Sequence, residues 1–332
     1  VNIFLNKFEE TELDDITTVL KSGELGFGPN VPILEDKFRP FSRKAFNVAT
    51  SSASAAAFII FAYLKEKYGK CDVYTPSLGF SSPVWAARYL GHNVIFVEVN
   101  DELLFNSGHY RKIRATGSNK AVLMPILYGG ISEINDWNPI GDEFVVVDSA
   151  HCVTPKLECD CVFFSFHPYK PICCSDGGMM AIDCADIDEY SRLYRNFGRK
   201  NTNTSYDITQ DGFKFYMNNL NATIALTHIK KYRDLLASRK ENHRDLSRSF
   251  KLLPHDPSSS YYFSTSLTDR ANELLHKFGL SRHYPLLHQT SAFKNGVALP
   301  HTESIHRLIL NLPLYQKLKP QSFGAAISAD IP

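Results

Sequence analysis

A serine, a lysine and an aspartate stand at the ends of short apolar runs near the middle of this chain, and their types and spacing define a chemistry. Cys161-Val162-Phe163-Phe164 leads into Ser165-Phe166-His167-Pro168-Tyr169-Lys170, which is closed by Asp176-Gly177-Gly178. Phe144-Val145-Val146-Val147 leads into Asp148, 22 residues before the lysine. Most lysines are solvated surface charges. One that is held partly desolvated is a nucleophile that condenses with a carbonyl to form a Schiff base. If the two runs are adjacent strands, amine and carboxylate face one crevice at the strand ends, where open α/β sheets bind ligands. A lysine for an aldehyde, with an aspartate to keep a ring nitrogen protonated, is the pair that pyridoxal phosphate needs.

The elements that position such a pair are readable from pattern and punctuation. Residues 10–22 have a helical period with Leu13, Ile16, Val19 and Leu20 on one face, stopping at Gly23. The glycines of Gly23-Glu24-Leu25-Gly26-Phe27-Gly28 follow no strand, so a dinucleotide loop is not met there. After a short helix from Val31 to Phe38 comes the strand Phe46–Ala49, then Thr50-Ser51-Ser52-Ala53-Ser54 opening an Ala-rich helix to about Tyr68. Small hydroxyl residues at a helix start cap backbone N–H groups, and those N–H groups with the helix dipole also hold phosphate. Strands at 73–75, 94–97, 121–124 and 179–182, alternating with helices, predict an α/β, mostly parallel sheet between helices. Residues 199–211 read as a loop, and a helical pattern from Gly212 lasts to about Phe250. A strand at 261–267 and a helix at 271–278 follow the polar break 254–260.

Composition narrows the class. The 332 residues are 44% hydrophobic and 21% charged, which permits a large buried core. With a net charge of +1, composition gives no reason to expect nucleic acid or an anionic membrane as partner. No apolar run is long enough to span a bilayer, and the N-terminus has no signal-peptide pattern. Seven cysteines form no disulfide framework, which fits a reducing cytoplasmic setting. Cys159-Asp160-Cys161 and Cys173-Cys174 lack the knuckle spacing of a zinc site, so no metal is expected.

The phrases Asp148-Ser149-Ala150-His151, Ser165 to Lys170 and Asp176-Gly177-Gly178 resemble the DegT/DnrJ/EryC1/StrS sugar aminotransferases, a branch of the fold type I pyridoxal phosphate enzymes. With Gly212-Phe213-Lys214-Phe215-Tyr216, His283-Tyr284-Pro285-Leu286-Leu287-His288 and Leu312-Pro313-Leu314-Tyr315, the resemblance runs from Gly23 to Tyr315. It implies a seven-stranded-type sheet in a large cofactor domain (1–220), a long connecting helix (221–250) and a smaller C-terminal α+β domain (251–332). It also implies roles. Lys170 holds pyridoxal 5'-phosphate and moves a proton, Asp148 pairs with the ring nitrogen, and Phe80 stacks on the ring. His151 lies near the ring hydroxyl; a structural histidine is the alternative reading there. Ser52-Ala53-Ser54 stands where the family has a Ser-Gly-Thr phosphate loop, with alanine replacing glycine. Ser54 and Ser165 give hydroxyls to the phosphate, or else cap local backbone. Lys214 reaches the phosphate in the partner subunit, which makes a homodimer with active sites at the interface the expected unit.

The implied substrates are an amino donor, expected to be glutamate, and a nucleotide-linked keto sugar, for amino sugars of surface polysaccharide or lipopolysaccharide. Sugar dehydratases of the same family carry histidine where this chain has Lys170. A non-catalytic cofactor- or sugar-binding relative and an unrelated α/β enzyme are the other readings. The connections over 132–142 and 151–160 are shorter than those usual in the family, which implies a more open sugar pocket.

Overall fold

The computed structural model describes residues 10–114, 119–130, 137–153, 157–202, 204–294 and 296–315. The short connections expected at 132–142 and 151–160 lie partly outside the described residues. So do the two ends of the expected domain division.

Helices α1 (Glu10–Ser22) and α2 (Asn30–Ser42) precede strand β1 (Phe46–Thr50) and helix α3 (Ala53–Tyr68). Next come β2 (Cys71–Pro76), α4 (Ser81–Tyr89), β3 (Asn93–Val97), α5 (Ser107–Ile113) and β4 (Lys120–Leu123). Strands β5 (Phe144–Asp148), β6 (Cys161–Ser165) and β7 (Gly178–Ile182) complete a seven-stranded sheet of order β1-β7-β6-β5-β4-β2-β3. Every neighbouring pair is parallel except those that β7 makes with β6 and β1. This is the mostly parallel α/β sheet that pattern and resemblance imply. Strand β7 does not close the sheet at its edge; it is inserted between β1 and β6.

The strands are buried on both faces, so alternate residues serve two cores. Val145, Val147, Val162 and Phe164 point to the layer that contains Leu34 and Phe38 of α2. Phe144, Val146, Cys161 and Phe163 point to the layer with Ile59, Ile60 and Phe61 of α3. Each such fully buried side chain stabilises the fold by roughly 1.5–3 kcal/mol relative to exposure. A buried ion group fixes the end of β1. Glu35 of α2 accepts from Arg192 at 2.8 Å, from Arg195 at 2.5 Å and from the Ala49 amide at 2.9 Å. Against the opposing push of burial, the two arginines hold its carboxyl below the usual range.

Beyond the sheet lie α6 (Ala185–Tyr194), the hairpin β8 (Arg199–Asn201) and β9 (Tyr206–Ile208), then α7 (Asn219–Lys230) and α8 (Tyr232–Leu246). The stretch expected as loop therefore contains a hairpin; its polar residues hide their strand character. Residues 212–218 are not the start of a helix. They run extended, bridging Lys214 to Asn196 and Tyr216 to Thr50, until Asn218 caps α7 by accepting from the Asn221 amide at 2.8 Å. The expected continuous helix to Phe250 is two helices that break at Lys231.

The C-terminal region pairs β10 (Phe263–Leu267) with β11 (Ile309–Pro313), antiparallel, beside α9 (Ala271–Phe278) and α10 (Pro300–Leu308). Its β10 starts at Phe263, not Tyr261, because Tyr261 takes a left-handed conformation with φ of 49°. Tyr262, Phe263, Leu286 and Ile309 pack with Leu78, Val99 and Tyr128 from the sheet side, in a shared apolar cluster that presses this region against the strand ends. No described helix is long and apolar enough to cross a membrane.

Candidate active site

A cavity of about 530 Å³ lies where β5 and β6 end, where α3 and α4 begin and where the C-terminal region leans over them. Asp148, His151, Ser165, Lys170, Phe80 and all of Ser52-Ala53-Ser54 line it. Lys214 does not; it is exposed, with Nζ 5.7 Å from the Tyr216 ring centre.

Sheet register brings the first group together. Asp148 ends β5 level with Phe163 of β6, so Ser165 projects two residues further along the neighbouring strand. The segment that then carries Lys170 is tied down on both sides. The Phe166 amide donates to Gly177 O at 2.8 Å, the Cys174 amide to Phe166 O at 2.8 Å, and the Lys170 amide to His167 O at 2.8 Å. Lys170 is thereby buried, with Nζ 4.3 Å from the centre of the Tyr262 ring, within cation–π range.

Burial sets the electrostatics of this pair. Desolvation pushes the Lys170 amine down to about 7, with Asp148 partly opposing it. The same cause pushes Asp148 up to about 6, partly opposed by its hydrogen bond from the Ala150 amide and by Lys170. An amine that titrates near neutrality is uncharged often enough to attack a carbonyl, whereas an ordinary lysine is not. Burial, with Lys170 and His283 nearby, also holds His151 well below the usual imidazole range. Its Nδ1 accepts from the Gly129 amide at 3.2 Å, and its Nε2 meets the Tyr284 hydroxyl at 2.9 Å.

The other end of the cavity is formed by two helix N-termini. Ser52 caps α3 by accepting from the Ala55 amide at 3.1 Å, and the amides of Ala53 and Ser54 before it have no intrahelical acceptor. Ser54 hydrogen-bonds Ser82 in the first turn of α4 at 2.7 Å, so two positive helix ends converge. From behind, Gly178 allows β7 to touch this turn: a Cβ there would lie 2.4 Å from the Ser52 carbonyl carbon and 2.5 Å from the Ala53 nitrogen. The extended segment 212–218 supports the same turn through the Ser51 amide, which donates to Phe215 O at 2.7 Å.

The donor set fits pyridoxal phosphate: helix amides for the phosphate, a buried carboxylate for the ring nitrogen, a near-neutral amine for the aldehyde, and aromatic walls. Several lining residues were not singled out from the sequence. Ser82 is signalled by Ser81-Ser82-Pro83, a helix-start pattern, but Tyr262 had no signal that distinguishes a cavity ring from a core ring, and Tyr169 lies in a recognised phrase without an assigned role. His283 and Tyr284 belong to a recognised phrase without an assigned role.

Comparison with known proteins agrees with this geometry. Residues 6–329 match the model of the DegT/DnrJ/EryC1/StrS aminotransferase family. PseC of Helicobacter pylori, an aminotransferase involved in the biosynthesis of pseudoaminic acid, is similar with a TM-score of 0.86 and 18% identity, over 98% of each chain. The PLP-form of Spr1654 from Streptococcus pneumoniae, a putative sugar aminotransferase, gives 0.86 and 20% over 100% of each chain. DesI, solved in the presence of its TDP-sugar product, gives 0.85 and 19%, over 99% of this chain and 91% of that one. Lysine, carboxylate and converging helix N-termini thus sit together in a chain that belongs to the DegT/DnrJ/EryC1/StrS aminotransferase family, as a pyridoxal-phosphate-dependent transaminase.

Proposed function

We propose that the chain moves an amino group from glutamate to a keto-deoxy sugar linked to a nucleotide, in amino-sugar synthesis for surface polysaccharide such as lipopolysaccharide. The observation that carries the reading is the buried Lys170 amine, pushed down to about 7, in one cavity with Asp148 and the N-terminus of α3. The TDP-sugar product of DesI and the sugar pathway of PseC support the substrate class.

When bound, pyridoxal phosphate supplies an aldehyde that condenses with amines and an electron-withdrawing ring. Lys170 holds it covalently between turnovers. With an amino substrate in its place, Nζ of Lys170, partly uncharged near neutral pH, would take up and return a proton. Asp148 would hold the ring-nitrogen end and keep that nitrogen protonated. Phe80 stacks on the ring, while Ser54, Ser165 and the amides at Ser52-Ala53 hold the phosphate.

Lys214 completes the phosphate site of a second copy. Its exposure outside its own cavity supports this, as do the exposed rings of Phe27, Phe197 and Phe213 in the same region. Phe27 and Phe197 lie 5.6 and 6.3 Å from the Tyr216 ring, beside Lys214. Such a patch is an association surface, and the unit is a homodimer. The cysteines of the described residues are free thiols, which supports a cytoplasmic setting.

An absorption spectrum with pyridoxal phosphate, before and after glutamate, tests the reading. A lysine-bound band that gives way to the amine form of the cofactor is expected. A band indifferent to glutamate would exclude that donor, and absence of any band would overturn the reading.

A further inference from the structure

Two neighbouring tyrosines at the head of β10 send their rings to different places. Tyr261 takes the left-handed conformation, with φ of 49°, which an aromatic residue keeps only where its surroundings hold it. Its ring is half-buried and stacks on His255 at 4.4 Å. The Tyr262 ring turns inward and is buried, with its centre 4.3 Å from Lys170 Nζ and 4.5 Å from the centre of the His151 ring.

The turn between them is held from three sides. Arg239 of α8, itself buried, donates through Nη1 to the carbonyls of Tyr261 and Tyr262, both at 3.2 Å. The Tyr261 amide donates to Ser259 Oγ at 3.0 Å. Ser260 Oγ accepts from the amide of Val153, two residues past His151, at 2.5 Å. Taking a guanidinium out of water is unfavourable, and here its donors are used on the backbone of one turn. That turn decides where the Tyr262 ring lies.

The contact bears on what Lys170 does in the transaminase reading above. Its amine gives way to a substrate amine, takes up a proton and returns it, so Nζ alternates between neutral and ammonium forms while staying within reach. Burial alone disfavours the ammonium. The face of an aromatic ring favours it, more strongly where water is excluded. The Tyr262 phenol is kept protonated by burial, so the ring itself is uncharged. The ionisable groups around Nζ are Asp148 at the end of β5, His151 just beyond it, His167 on the lysine's own loop and His283 from the C-terminal region. Burial holds the three histidines below the usual imidazole range, which leaves Asp148 as the one opposite charge in that group.

We propose that the ring of Tyr262 is the seat of the Lys170 ammonium during turnover, and that Arg239 is the positioning residue that holds the ring in place. The reacting nitrogen still comes from the loop after β6; the ring gives it somewhere to stand while it carries the proton.

The test is a pH titration of Lys170 in the cofactor-free protein, by nuclear magnetic resonance of lysine labelled with carbon-13 at Cε, the signal being identified by its loss in Lys170→Met. The wild-type midpoint is expected near 7. Tyr262→Leu should lower it by about half a unit to one unit, the size of one lost ring–cation contact, and Tyr262→Phe, which keeps the ring, should leave it in place. Arg239→Met should shift it the same way by less, Arg239→Lys should restore part of that shift, and Tyr262→Leu with Arg239→Met should match Tyr262→Leu alone. A Tyr262→Leu midpoint that stays put overturns the proposal, and one that rises shows a ring that merely excludes water, which overturns it too. Shifts of the two residues that add in full would remove Arg239 from the positioning role. The tyrosine variants decide the seat by themselves if Arg239→Met does not fold. The rate at which pyridoxal phosphate forms its lysine-bound band should follow the same midpoints. A wild type that titrates near 7 yet forms no band overturns the cofactor reading, an outcome distinct from the others.

Discussion

The cavity has two unlike walls. The strand-end wall, made by β5, β6 and the turn into α3, carries the ionisable pair Asp148 and Lys170 and the N-terminus of α3. The wall from the C-terminal region and the loop before α4 carries rings: Tyr262, Tyr284, His283 and Phe80. Charges near the reacting atoms require fixed geometry, and parallel register with a stapled loop supplies it. Rings tolerate small displacements, and they sit on the part joined to the sheet by apolar packing. The difference teaches that reactivity and shape are contributed by separate parts of the chain.

The sharpest way to break this division is Lys170→Ala. Turnover should fall by at least about 10³-fold, as for removal of a group that is both nucleophile and base, while pyridoxal phosphate still binds without a covalent link. Normal transamination by this variant would sink the assignment.

Lys170→Met in the apoprotein sharpens the electrostatic half. The folded-state pKa is about 7, against 10.5 for an ordinary lysine. A depressed lysine favours the fold above its unfolded pKa, and that support is lost as pH falls toward the folded value. The native apoprotein should therefore be penalised most below about pH 7. Linkage puts the penalty on the order of 5 kcal/mol there. The methionine variant should melt higher at pH 6, with the advantage fading toward pH 10.5; equal melting curves at both would contradict the buried amine.

Lys214→Ala asks whether the strand-end wall is completed by another copy. It should weaken cofactor retention by roughly 10-fold, the loss of one charge-assisted contact, with the dimer intact by sedimentation. Retention equal to wild type would remove Lys214 from the site. Smallest of all, Phe80→Leu should cost about 2–10-fold in cofactor affinity through lost stacking, leaving the lysine-bound absorption band in place. A loss of the band would mean that the ring wall also governs reactivity.

The two walls also differed in how far the sequence revealed them. Asp148 and Lys170 end apolar runs, and Ser52 and Ser54 open a helix; each is a local pattern, readable without the partner strand. Tyr262 gave no sign, because an aromatic beside a strand is core or cavity depending on what faces it across the fold. Lys231 breaks a helix whose charged pattern continues past it, and Asn218, the cap that delays α7, sits inside a stretch whose pattern reads as helix throughout. The hairpin at 199–208 was hidden by polar residues suited equally to a loop. Periodicity and capping are local, whereas the direction of a ring or the exact break of a helix is decided by tertiary contacts.

Gly178 carries a consequence of its own. It contributes no side chain to the anion site, yet the turn at Ser52-Ala53 occupies the space its side chain would fill. The footprint of the ligand and the footprint of function therefore do not coincide. A protection experiment would pass over this strand residue, while a mutational survey would mark it as intolerant.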